Sequence, residues 1–291
     1  MATTSQWVAG ARPRTLPAAT APVIVGSGAA ALAGGFHLWR ALLALGVALA
    51  LQVGVNYAND YSDGIRGTDT DRVGPLRLTG SLLAPARTVR GAAFTAFGLA
   101  AVLGLVLVAL SGTWWLIAVG ALSILAAWYY TGGRRPYGYA GLGEVGVFVF
   151  FGLVAVLGTT YTQLGRVTWP AALGAVATGL IACAILMVNN IRDIPTDTVA
   201  GKRTLAVRLG PVRARRTYVA MIWLPILIAV VLAFWSAWTL MVLVLLLPAV
   251  LLSIPVLVGA YGRALVPVLG GTGFYELAYG VLLGLGLAFG G

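Results

Sequence analysis

The sequence holds one cysteine, one histidine and only eight acidic residues in 291. A single cysteine, Cys183, excludes an internal disulfide and any cysteine-based metal cluster. It falls in an apolar run, where packing is its expected role. His37 lies between two hydrophobic runs and reads as a loop residue, not a catalytic one. Charged residues make up 9% of the chain and hydrophobic ones 60%, whereas a soluble domain carries about 25% charge. That composition excludes an ordinary soluble enzyme. Nucleic acid is excluded as a partner too, because it calls for a solvated basic domain and none is visible. The net charge of +11 is instead expected to set membrane topology and attract anionic membrane lipid.

The chain is therefore counted in spans of about 20 residues. Nine apolar runs are long enough, near 16–34, 39–60, 88–110, 113–131, 142–161, 168–191, 215–235, 238–260 and 272–290. Arg12 and Arg14 before the first run imitate a secretory signal. Pro17 and Pro22 interrupt that run and many spans follow it, so it is expected to stay as the first membrane helix. With the N-terminus inside, only Arg40 and Arg166 of the nineteen basic residues fall outside. This alternation predicts an all-α, polytopic bundle of nine helices with its C-terminus outside. Its long loops, near 61–87 and 192–214, are then cytoplasmic.

The few acids lie together. Asp60, Asp63, Asp69 and Asp71 fall in the stretch NYANDYSDGIRGTDTD at 56–71, and Asp193 and Asp197 in NNIRDIPTDTVAGKR at 189–203. Solvation would scatter them. A carboxylate at the bilayer centre costs about 2.5–3.5 kcal/mol, so six would cost about 15–20 kcal/mol, more than a typical domain's stability. They are expected near the interface, in a wet cavity, binding cations. Oxygen donors without His or Cys favour Mg²⁺, which shares its shell with substrate phosphates. Arg66, Arg72 and Arg77 flank the first window, and Arg192, Lys202 and Arg203 the second. Acids for metal beside bases for phosphate oxygens describe a diphosphate site. Helical spacing places Asn59 with Asp63, and Asn189 with Asp193 and Asp197, on common faces. Pro195 is expected to kink or end the second helix and present Asp197 from a turn. Glu144 reads as a local ion pair with Arg134 and Arg135, or as a substrate contact. Tyr129, Tyr130, Tyr137 and Tyr139 read as an interfacial belt or as rings that steady a carbocation.

At these residues the chain resembles the UbiA superfamily of intramembrane prenyltransferases over nearly its whole length. Asn59-Asp60-Tyr61-Ser62-Asp63 is similar to that family's first Asp-rich motif, and Asp193-Ile194-Pro195-Thr196-Asp197 to its second. DRVGPLR at 71–77, TGGRRPYGYAGLGE at 131–144, GKRTLAVRLG at 201–210 and ARPRTLP at 11–17 resemble the branch that prenylates 1,4-dihydroxy-2-naphthoate. The resemblance implies one integral-membrane prenyltransferase domain over residues 1–291, multi-pass in a bacterial cell membrane. It implies transfer from a polyprenyl diphosphate with loss of CO₂, in menaquinone synthesis. Asp60, Asp63, Asp193 and Asp197 would hold Mg²⁺. Lys202, Arg72 and Arg77 would offset charge on the leaving diphosphate, while Asn59 and Asn189 orient it. Arg135, then Arg14, would meet the acceptor carboxylate, and Tyr139 would contact substrate. Where some members carry a further Asp this chain has Gly67, so either Asp69 or Asp71 could complete the metal set. 4-Hydroxybenzoate is the alternative acceptor. A CDP-alcohol phosphotransferase and a divalent-cation transporter are the readings from other classes; the first lacks part of its motif, and the second would want acids at mid-membrane.

Overall fold

The computed structural model describes residues 2–66 and 76–291. Every regular element among them is a helix. After the short α1 (Thr4–Gly10) come α2 (Pro17–Leu32), α3 (Leu38–Arg66), α4 (Ala86–Ser111) and α5 (Leu116–Tyr129). Then follow α6 (Gly143–Leu164), α7 (Trp169–Val199), α8 (Leu205–Leu232), α9 (Ala237–Leu257) and α10 (Gly262–Ala288). Each of the nine apolar runs carries a helix. Seven are long and apolar enough to cross a membrane, and eight if the bent pair Thr4–Thr15 and Pro17–Leu32 is one span. The run at 113–131 yields only the 14 residues of α5, short of about 20, so the count of nine spans is approximate.

Local sequence sets the ends. Thr3 accepts a hydrogen bond from Gln6 N at 3.3 Å and donates its own N–H to Gln6 Oε1 at 2.8 Å, a capping box. Thr168 caps α7 just ahead of Pro170. Gly112 and Gly165 end α4 and α6 in the left-handed region, φ 72° and 69°, which a Cβ would disfavour.

Two expectations need correction. The segment 192–214 is not a long loop, because α7 runs on to Val199 and α8 starts at Leu205. Pro195 lies inside α7, so Asp197 stands in the helix's last turn and not in a separate turn. A proline this close to a helix end removes a single hydrogen bond, which the packed helix on either side tolerates. The site helices thus extend past their apolar stretches, α3 to Arg66 and α7 to Val199.

Small residues set the packing. A Cβ on Gly28 of α2 would lie 2.2 Å from Gly284 O of α10, and one on Gly152 of α6 would lie 2.7 Å from Gly179 Cα of α7. Such contacts let backbones touch where lipid supplies no hydrophobic drive. Val25, Val156, Ile181, Met187 and Leu283 are fully buried between these helices. Trp39, Trp169, Phe234, Leu247 and Phe274 point outward, as a lipid-facing surface requires.

Candidate active site

Helix α3 carries Asn56, Asn59, Asp60 and Asp63 at steps of three and four, so they share one face. Asn56, Asp60 and Asp63 are buried. Asn56 Nδ2 donates to Ala11 O and to Thr15 Oγ1, each at 2.9 Å, which ties the N-terminal segment to this face. Asp60 accepts the backbone N–H groups of Leu78 and Thr79 at 2.6 and 2.9 Å. Its carboxylate therefore fastens the chain that returns after the first window. Asn59 Oδ1 accepts from Thr131 Oγ1 at 2.7 Å.

Asp63 is where the two windows meet. Arg77 Nη2 lies 3.4 Å from Asp63 Oδ2 and Lys202 Nζ lies 3.9 Å from Asp63 Oδ1. The Tyr139 hydroxyl also donates to Asp63. Lys202 Nζ sits 4.4 Å from the Tyr139 ring centroid and the Arg66 guanidinium 5.6 Å from it, within cation–π range. Arg66 also donates to the carbonyls of Thr131 and Gly133. In the second window, Arg192 donates to both oxygens of Asp193, at 2.6 and 2.7 Å, and to Asn189 Oδ1 at 2.9 Å. Asp197 is buried, and its carbonyl accepts the Lys202 N–H at 2.8 Å, turning the chain so that Lys202 faces Asp63.

The structure thus joins Asn59, Asp60, Asp63, Arg77 and Tyr139 to Lys202 in one place, with Asn189, Asp193 and Asp197 on α7. Asp69, Asp71 and Arg72 lie outside the described residues. Among the described residues, no three side chains of the His, Cys, Asp and Glu kinds gather as a metal-holding group. The acids instead lie against arginine, lysine and backbone N–H groups. Arg14 and Arg135 are exposed, and among the described residues neither bonds an acid of the windows. Glu144 is not an ion pair with Arg134 or Arg135. It is buried, and its Oε1 accepts from Asn190 Nδ2 at 3.0 Å, because it opens α6 where that helix meets α7. Its carbonyl accepts from Cys183 Sγ at 3.1 Å.

The acid–base cluster stands at one end of a cavity of about 520 Å³. Its walls are α2 to α6 and are almost wholly apolar. Asn56, Asn59, Tyr130 and Tyr137 line the end nearest the cluster. The Tyr130 and Tyr137 rings meet edge to face at 5.5 Å, and burial pushes the Tyr137 phenol up to about 12, so it stays neutral. Tyr129 points outward. Sequence reasoning missed three contributors: the Leu78 and Thr79 amides, Thr131, and Gln52, one turn before Asn56 on the cavity wall. Only the helical spacing from Asn56 could have flagged Gln52. The fully buried Glu276 of α10 also went unremarked.

A charged cluster at the ends of membrane-length helices, opening on an apolar cavity, defines an integral membrane protein built to hold a molecule with an anionic head and an apolar body. The pattern of the UbiA prenyltransferase family matches residues 19–264. A Mycobacterium tuberculosis protein named 1,4-dihydroxy-2-naphthoate octaprenyltransferase is 56% identical over 290 residues, covering 100% of this chain and 99% of its own. One of the same name from Escherichia coli is 43% identical over 225 residues, covering 75% and 73%. The apo structure of a UbiA homologue from Aeropyrum pernix superposes with a TM-score of 0.71 at 15% identity, covering 94% of this chain and 97% of the other. A UbiA homologue from Archaeoglobus fulgidus, bound to DMAPP and Mg²⁺, superposes with a TM-score of 0.63 at 13% identity, covering 98% and 99%. The chain belongs to the UbiA prenyltransferase family.

Proposed function

We propose that this protein transfers a polyprenyl group from a polyprenyl diphosphate to 1,4-dihydroxy-2-naphthoate. The ring carboxylate is lost as CO₂, giving the demethylmenaquinol of menaquinone synthesis. The observation that carries the reading is the junction of Lys202 with Asp63 at the head of the apolar cavity. Cations suited to a diphosphate beside Asn59, which lines the cavity, support a head site next to room for a prenyl tail. The acceptor is supported by the names of relatives that match this chain at full length.

In this reading Lys202, Arg77 and Arg192 take diphosphate oxygens, and Arg72 joins them from outside the described residues. The donors near them are carboxylate and amide oxygens, without thiol or imidazole, which fits a hard cation such as Mg²⁺. Asp60, Asp63, Asp193 and Asp197 would hold it, with Asp69 a further donor. When bound, Mg²⁺ neutralises diphosphate charge and makes it a better leaving group. The donor's allylic C–O bond then breaks, its electron pair leaving with the diphosphate. Tyr130 and Tyr137, which line the cavity, would steady the developing cation through their rings. The electron-rich naphthoate ring forms the new C–C bond, and its carboxylate leaves as CO₂ with the bonding pair returned to the ring. Dry cavity walls keep water from the cation.

The N-terminus and both acidic windows are assigned to the cytoplasmic side, because that orientation leaves only Arg40 and Arg166 outside. The test supplies purified protein with Mg²⁺, octaprenyl diphosphate, and either the naphthoate or 4-hydroxybenzoate, following prenylated product and CO₂. Turnover of the naphthoate with equimolar CO₂ is expected. Prenylated 4-hydroxybenzoate with its carboxylate retained, and no naphthoate product, would contradict the acceptor assignment.

A further inference from the structure

Three glycines from three helices line the cavity at one depth. Gly104 belongs to α4, Gly120 to α5 and Gly158 to α6. A Cβ on Gly120 or Gly158 would meet nothing within 4 Å, and one on Gly104 would meet only Val47 Cγ2 at 3.9 Å. That contact sets Gly104 level with Val47 on α3. Val47 is twelve residues from Asn59, about 18 Å at the helical rise of about 1.5 Å per residue. Gly120 is ten residues from Tyr130, about 15 Å by the same measure, and Tyr130 is level with Asn59 through the adjoining Thr131 bond. Gly158 is twelve residues from Gly146, at most about 18 Å, and a Cβ on Gly146 would touch the Tyr137 ring.

The three positions therefore ring the cavity about 15–18 Å below the charged head. These are not packing glycines. Gly28 and Gly152 lie against a neighbouring helix backbone, whereas these three border open space. The cavity also bears the mark of a place for a bound molecule. Gln52 on its wall is 6% exposed, and among the described residues its Oε1 has no hydrogen-bond partner, a cost normally offset by a ligand or water.

We propose that Gly104, Gly120 and Gly158 form the waist that selects the length of the donor's tail. The inference rests on the prenyl-diphosphate reading of the site. An extended chain advances about 1.2 Å per backbone atom, so a prenyl unit of four chain atoms spans about 5 Å. The waist then falls about three to four units from the diphosphate. A short tail ends before it, and a long, methyl-branched tail must pass it. A Cβ at these positions enters open space without meeting helix backbone, and a larger side chain built on it would narrow the bore. They would turn a long-tail enzyme into a short-tail one.

The test compares Gly120→Leu, Gly158→Leu and the double variant with wild type, using geranyl, geranylgeranyl and octaprenyl diphosphates. Gly98→Leu serves as control, since its Cβ also meets open space but Gly98 does not line the cavity. The geranyl donor should keep kcat/KM within about 3-fold of wild type. The octaprenyl donor should lose about 10–100-fold in the waist variants and nothing in the control. Thermal melts in detergent should match wild type. Equal losses on every donor, or undiminished octaprenyl transfer by the double variant, would overturn the proposal. Wild-type protein inert with all three diphosphates would remove the underlying reading as well, a result distinct from either.

Discussion

Asp63 accepts from Tyr139 and faces both Arg77 and Lys202, so one carboxylate binds three separate segments of the chain. Its conversion to Asn keeps the volume and removes the charge. Activity should then fall by about 100-fold or more, with little change in protein recovered from membranes. Tyr139→Phe removes one hydrogen bond to a charged group but keeps the ring beneath Lys202. It should cost about 10-fold in kcat, and steady-state assays on the two variants separate charge from orientation. The windows were legible in the sequence because acids are so scarce in this chain that six of eight in two short stretches cannot be chance solvation. The partners were not legible. Asn190 meets Glu144 across 46 residues, and the Leu78 and Thr79 amides meet Asp60 across 18 and 19. No local pattern marks such pairs. Arg135 and Arg14, chosen as cations for the acceptor carboxylate, both stand exposed.

Helices α2 and α10 touch through Gly28, Gly280 and Gly284, and a Cβ on Gly28 would lie 2.2 Å from backbone. Gly28→Val should therefore destabilise the bundle by about 1–3 kcal/mol, read as an earlier thermal transition in detergent. An unchanged transition would show that this contact relaxes freely. Apolar runs located the helices well, because membrane spans advertise themselves by hydrophobicity alone. They placed the ends poorly at the site. The final turns of α3 and α7 are polar, and a polar helix face has no hydrophobic signature. Asp63, Asp193 and Asp197 stand on those polar turns, beyond the runs at 39–60 and 168–191, so the hydrophobic pattern omits part of what carries chemistry. The run at 113–131 erred the other way, since flanking apolar residues at Trp114 and Trp115 lie in turns ahead of α5.

At the scale of the molecule, charge sorts the two faces. Single cysteines at Thr198 and at Gly112, in a Cys183→Ala background, should behave oppositely in intact cells. An impermeant thiol reagent should label the Gly112 position and spare Thr198. Labelling at Thr198 would invert the topology. The central claim is that both windows and the cavity below them form one site for a prenyl diphosphate. Its most direct test is equilibrium binding of geranylgeranyl diphosphate by calorimetry, with and without Mg²⁺, to wild type, Asp63→Asn and Asp193→Asn. Wild type should bind in a Mg²⁺-dependent manner, and each variant, one from each window, should lose about 10-fold or more in affinity. Wild-type affinity retained by Asp193→Asn, while Asp63→Asn fails, would contradict the account, because the second window would then stand apart from the diphosphate.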